Sequence, residues 1–142
     1  MATDEDSKLV SYPGHGVGLR NVGSYQVSGE PFLTGSTINT GEEISVNFPF
    51  VTRSVTIINS GSAKLRVHFN STSSLGNVIT GRHYITLDGD DENVTFNVKC
   101  KNVYVTCPSD GNGNTTGFEC FAELTNIPPQ RMYELTGTGL TE

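Results

Sequence analysis

The chain has 142 residues, enough for one domain with a real core, since a chain of this length buries roughly 70% of its unfolded surface on folding. Fifteen acidic against nine basic side chains give a net charge of −6, with no basic stripe of the kind that displaces counterions, so no nucleic-acid partner is expected. An apolar content of 35% in a chain rich in Gly, Ser, Thr and Asn fits many turns between short strands. No stretch approaches the roughly 20 apolar residues of a membrane span, and the N-terminal MATDEDSK is acidic where a secretory signal is basic and then apolar. A chain made in a cytosol, with no membrane partner, is therefore expected. The three cysteines, Cys100, Cys107 and Cys120, are odd in number and unlike any disulfide framework, which suits a reducing compartment.

Residues 1–23 contain Pro13, Gly14, Gly16, Gly18 and Gly23 without apolar periodicity, and read as an extended, flexible N-terminal arm. From Ser24 onward, Tyr25, Val27, Phe32 and Leu33 open short apolar segments that read as strands. Ile44, Val46, Phe48 and Phe50 alternate with polar residues and Pro49, the period-2 pattern of a half-buried strand at an edge or a bulge. Val55, Ile57 and Ile58 form the next strand, which stops at the turn Asn59-Ser60-Gly61-Ser62. Leu65, Val67 and Phe69 alternate with Lys64, Arg66 and His68, predicting one core face and one wet face.

Residues 83–87 and the alternating Val94, Phe96 and Val98 flank the acidic turn 88–93, and read as a hairpin with a charged tip. Val103, Val105 and Cys107 continue with shifted parity, so a turn or bulge is expected near 99–102. A polar loop follows at 108–117. Phe118, Cys120, Ala122 and Leu124 then alternate with Glu119, Phe121 and Glu123, and residues 131–136 read as a last strand. Eight to ten strands with no convincing helix predict an all-β chain: a single antiparallel β-sandwich or jelly-roll-like domain over 24–142, preceded by the arm.

No residue pattern supplies chemistry. The loop Asp110-Gly-Asn112-Gly-Asn114 begins like a calcium loop but has Thr115 and Phe121 where an EF-hand needs Gly and Glu, and reads better as a solvated turn. Asp88, Asp90, Asp91 and Glu92 could gather round a divalent cation, although a charge-crowned turn is the commoner outcome. The cysteines lack zinc-site spacing; Cys107 and Cys120 share their strands' apolar parity and read as buried thiols, whereas Cys100 lies near the register break and reads as more exposed. There is no G-x-S-x-G nucleophile turn, and Gly14-x-Gly16-x-Gly18 has neither the strand, the helix nor the Lys of a phosphate loop. No enzymatic activity, metal or cofactor is expected. With no Trp in the chain, a stacking platform for sugars is poorly supplied.

The stretches VGLRNVGSYQVSGEPFLTGS (17–36), FPFVTRSVTIINSGSAKLRVHF (48–69) and AELTNIPPQRMYELTGTGLTE (122–142) resemble small virion structural proteins of marine and cyanobacterial tailed bacteriophages. The resemblance implies a non-enzymatic capsid decoration or cement protein on the outer surface of the virion head, bound to the major capsid protein lattice. A homo-oligomer, with a trimer favoured, would match three-fold lattice positions. Leu19, Arg20, Tyr25 and Phe32 are then the candidate contact residues, because apolar and guanidinium groups in flexible backbone are costly to leave unused; packing on the protein's own sandwich is the competing expectation for them. A receptor- or glycan-binding β-sandwich of a tail or fibre protein is the alternative function.

Overall fold

The computed structural model describes residues 17–72, 77–109 and 115–142. The first 16 residues of the predicted arm and the Asp110–Asn114 loop lie outside the described residues. A five-residue helical turn, α1 (Val22–Gln26), precedes the strands β1 (Glu30–Ile38), β2 (Glu43–Asn47), β3 (Thr52–Asn59) and β4 (Leu65–His68). A short helical turn, α2 (Asn77–Thr80), leads into β5 (Ile85–Leu87), β6 (Asn93–Phe96), β7 (Asn102–Thr106) and β8 (Thr116–Leu124), and a 3₁₀ turn follows at Pro129–Arg131.

The strands form two four-stranded antiparallel sheets, ordered β1-β8-β3-β6 and β2-β7-β4-β5. First pairs with eighth, second with seventh, third with sixth and fourth with fifth. This is a single long two-stranded ribbon, folded at the β4–β5 connection and rolled upon itself; the β3·β8 and β4·β7 ladders are made by the rolling. The architecture is a jelly-roll β-sandwich. Every connection except β4–β5 carries the chain from one sheet to the other.

Alternation explains how each strand is held. Along β8, buried Thr116, Phe118, Cys120, Ala122 and Leu124 face inward while Glu119 and Phe121 are exposed. Val55, Ile57, Leu65, Val67, Val103 and Val105 meet them from the other strands in one hydrophobic cluster. All three thiols are buried there and carry no disulfide. Burial pushes the Cys120 thiol up to about 12 and the Cys100 thiol up to about 11. Cys100 is therefore not the exposed thiol expected: its Sγ lies 3.3 Å from Thr52 Oγ1, beneath the segment where the chain leaves β6 for β7. That crossing is the register break expected near 99–102, and Thr52 secures it by donating from Oγ1 to the Val98 carbonyl while accepting from the Cys100 N–H.

Four other expectations are corrected. Residues 83–98 do not form a hairpin, because β5 and β6 lie in different sheets. The acidic turn between them instead docks on the β3–β4 turn: Asp90 N–H donates to the Gly61 carbonyl and Asp91 N–H to that of Asn59, with Gly89, Asp90 and Asp91 all at positive φ. Residues 131–136 form no strand; Met132 inserts its side chain below the sandwich and the chain runs on in irregular conformation. Tyr25 belongs to α1 and not to a strand. His68, on the outward parity of β4, is buried where its ring stacks on Tyr104 at 6.0 Å and lies within hydrogen-bonding distance of Asn70 and Thr106.

At the end of β3, the Asn59 side chain is fully buried with all its hydrogen-bonding capacity used. Its Nδ2 donates to the carbonyls of Ala63 (2.8 Å) and Leu87 (2.9 Å), and its Oδ1 accepts from Thr116 Oγ1 (2.6 Å) and Gly61 N–H (3.2 Å). Replacing it by Ala leaves two buried carbonyls and a hydroxyl without partners, and each such group costs roughly 1–3 kcal/mol. Asn59→Ala is expected to lower unfolding free energy by about 3 kcal/mol, and Thr116→Val, which removes one donor, by about 1 kcal/mol. Urea denaturation with an unchanged m-value would measure both.

Candidate interaction surface

Connections alternate between the two ends of a sandwich, so Asn59 sits at one end, and the segments before β1 and after β8 at the other, the terminal end. At the terminal end a second hydrophobic cluster joins Val51, Ile127 and Met132, against which Val17, Leu19, Tyr25 and Leu135 pack. Residues 17–36, 48–69 and 122–142 are far apart in the chain, yet each stretch contributes to this cluster: Val17, Leu19 and Tyr25 from the first, Val51 from the second, and Ile127, Met132 and Leu135 from the third. Backbone bonds fasten it, from Val51 N–H to the Ile127 carbonyl (2.9 Å) and from Thr125 N–H to that of Val51 (2.8 Å). Ser24 Oγ donates to Asn126 Oδ1 at 2.7 Å, which pins α1 to the segment after β8.

The four sequence-derived contact residues separate in space. Tyr25 Oη donates to the Leu19 carbonyl at 2.6 Å, so these two act together in seating residues 17–26 on the sandwich. Desolvation raises the Tyr25 pKa, with a smaller contribution from Tyr133. Phe32 is half-buried on β1, with its ring edge-on to Phe48 at 5.4 Å, and belongs to the main core. Arg20 is exposed.

Other side chains give this end its surface character. Val22, Val27 and Tyr133 are each 60% or more exposed. Val27 and Phe50 line one cleft of about 250 Å³ with Glu30 and Leu124. Phe50 has the apolar parity of β2, but β2 ends at Asn47 ahead of Pro49, and the ring is left partly in solvent. A second cleft of about 430 Å³ is lined by Tyr25, Arg53, Lys99 and Glu123. Arg53 occupies the bulge between Thr52 and Ser54 of β3; the extra residue turns its guanidinium outward to Glu123 (3.2 Å) and to the Val27 carbonyl. No sequence signal distinguishes Val22 or Val27 from core residues, nor reveals the bulge at Arg53.

Among the described residues, the wet-looking face of β4 holds a polar cluster that resembles a catalytic arrangement. His68 Nδ1–H donates to the Asn70 carbonyl (2.7 Å), so Nε2 accepts from Thr106 Oγ1 (2.6 Å). Glu43 lies 3.9 Å from the same Nε2 and is itself engaged with Ser71 Oγ and Thr72 N–H. A nucleophile relay needs the carboxylate across the ring, at Nδ1, to orient the imidazole. Here both partners crowd one nitrogen of a fully buried ring, and the cluster ties residues 70–72 to β2. Among the described residues, no group of three or more His, Cys, Asp or Glu side chains is placed to hold a metal ion. The acidic turn is engaged internally, with the Asp88 carboxylate 4.0 Å from Lys64 and the Glu92 carboxylate accepting from Asp88 N–H. No known family model matches the chain, and no curated protein is significantly similar to it.

Burial holds the His68 pKa below its ordinary value, outweighing the hydrogen bond to Asn70 and the Glu43 charge, which raise it, while Arg66 lowers it further. An unfolded chain therefore binds a proton at His68 more readily than the folded one. The stability this contributes is complete above the unfolded value of about 6.5 and is lost as pH falls through the folded value. Urea denaturation between pH 7.5 and 5 is expected to show stability declining as pH falls, with at most about 1.4 kcal/mol per pH unit from this residue, a component that His68→Gln removes. At the terminal end, Met132→Ala is expected to cost about 2–4 kcal/mol in the same assay.

Proposed function

We propose that this chain is a non-enzymatic virion structural protein of a tailed bacteriophage, a decoration or cement protein that binds the outer head shell and seats its terminal end on the major capsid protein lattice. The observation that carries the reading is spatial. The three stretches that resemble such proteins converge on the Val51–Ile127–Met132 cluster, and the exposed Val22, Val27, Phe50 and Tyr133 belong to the segments that meet there.

The jelly roll is compatible with the proposal without selecting it, since both capsid and lectin domains use this topology and fold alone does not fix function. Against a glycan site, the cleft beside Lys99 presents the single ring of Tyr25, whose hydroxyl is already committed to Leu19. For lattice binding the requirements are simpler. A rigid body presents an apolar rim, and many copies on a repeating surface let each contact be modest.

Particles assembled without this protein should lose thermal or osmotic stability, and added protein should co-sediment with them and restore it. Val27→Asp combined with Phe50→Asp should fold normally by circular dichroism yet reduce co-sedimentation at least tenfold. Electron microscopy of decorated heads should show density over the lattice with the terminal end inward. Deleted particles of unchanged stability, or added protein that does not co-sediment with them, would overturn the proposal.

A further inference from the structure

A sheet edge exposes a row of backbone groups with no partner, and proteins blunt such edges by shortness, bulges or charge. Three of the four edges here are short: β2 has five residues, β6 four and β5 three. The fourth, β1, has nine, and its register with β8 runs through all of them without a bulge. Its only charged residue is Glu30 at one end, and seven of the nine residues are exposed. Among the described residues none outside the β1·β8 ladder donates a backbone hydrogen bond to it.

Two features fix which residues present their amides outward. Pro31 has no N–H, which suits the parity that faces away from β8. A Cβ on Gly35 would lie 2.8 Å from the Phe118 carbonyl, the position expected when that carbonyl serves the neighbouring Ser36. Leu33, Gly35 and Thr37 thus carry the outward-facing groups. Leu33 is 74% exposed on the outer face, beside a hollow of about 430 Å³ that it lines with Gly35, Ile58 and Phe121.

We propose that β1 pairs antiparallel with β1 of a second copy about a two-fold axis at Thr34. In this register Leu33 lies opposite the partner's Gly35, and each strand supplies and receives about six ladder bonds in all, Pro31 contributing only its carbonyl. Gly35 has no side chain, so the Leu33 of one copy can lean across it into the hollow of the other, and the two insertions are equivalent. Glu30 falls opposite Ile38, so no like charges meet across the axis. Thr34 faces its own counterpart, a pairing favourable in sheets. The interface is isologous and closes both long edges at once, leaving no template for indefinite growth. It is independent of the virion reading and differs from the trimer that the resemblance suggested.

Sedimentation velocity of the full chain should give a species of twice the 15.3 kDa chain mass. Leu33→Asp, which brings a second carboxylate to a hollow that Glu119 also lines, should retain the far-ultraviolet spectrum and raise the dimer dissociation constant at least tenfold. Thr34→Cys places the new thiols about 4.5–5.5 Å apart at Cβ, so mild oxidation should cross-link it into disulfide dimers, whereas the buried native thiols should not react. A wild-type chain that is monomeric or trimeric at high micromolar concentration overturns the proposal. So does a dimer indifferent to Leu33→Asp, or a Thr34→Cys variant that does not cross-link.

Discussion

The amide of Asn59 is the point on which the rolled ribbon depends. A sandwich of two twisted sheets must splay at its ends, where the chain repeatedly crosses between layers and backbone groups lose their ladder partners. Asn59 stands at one such end and satisfies four groups: a carbonyl after β3, the last carbonyl of β5, the hydroxyl that opens β8 and an amide of the intervening turn. Three strands from both sheets are thereby held at one buried side chain. The acidic turn 88–92 closes over the same point, because the Asn59 backbone bonds to both Asp91 and Glu92. This is why that turn crosses between sheets, where its sequence alone suggested a local hairpin.

The opposite end solves the same problem with apolar contacts. Val51, Ile127 and Met132 form a buried apolar plug at this end, and Val17, Leu19, Tyr25 and Leu135 pack against it. Loops and termini so anchored form a surface of defined shape, and the bulge at Arg53 adds a guanidinium braced by Glu123. The two ends therefore differ in kind: one is sealed by polar satisfaction, the other carries exposed Val22, Val27, Phe50 and Tyr133 on segments braced by the apolar plug. Physical asymmetry of this sort suits a body that presents one end to a partner.

Legibility in the sequence followed the strength of the local constraint. β8, β4 and β7 were readable because strict alternation has one solution when one face is buried. The segment 131–136 carries the same apolar residues without becoming a strand, because Met132 is captured by a cluster that draws in Val51 and Val17, Leu19 and Tyr25 from far off in the chain. The exposure of His68 and Cys100 is not legible for a related reason: the first is enclosed by Tyr104, Asn70 and Thr106, the second lies at a crossing between sheets. Of the proposed contact residues, Leu19 and Tyr25 proved mutually engaged and Phe32 part of the core, whereas Val22, Val27 and Phe50 gave no sign that they would be left in solvent.

The sequence by itself determined the class of structure. Period-2 alternation, frequent turn residues and the lack of any helical repeat leave an antiparallel sandwich as the way to bury this chain's apolar residues. Only the tertiary structure decided the order of the strands, since each ladder except β4–β5 joins segments that are not adjacent in the chain and no local pattern encodes such pairings. It also decided which edge was left long and open, and which apolar side chains were left outside. Those outcomes depend on where two sheets end relative to each other, a property of the rolled ribbon as a whole.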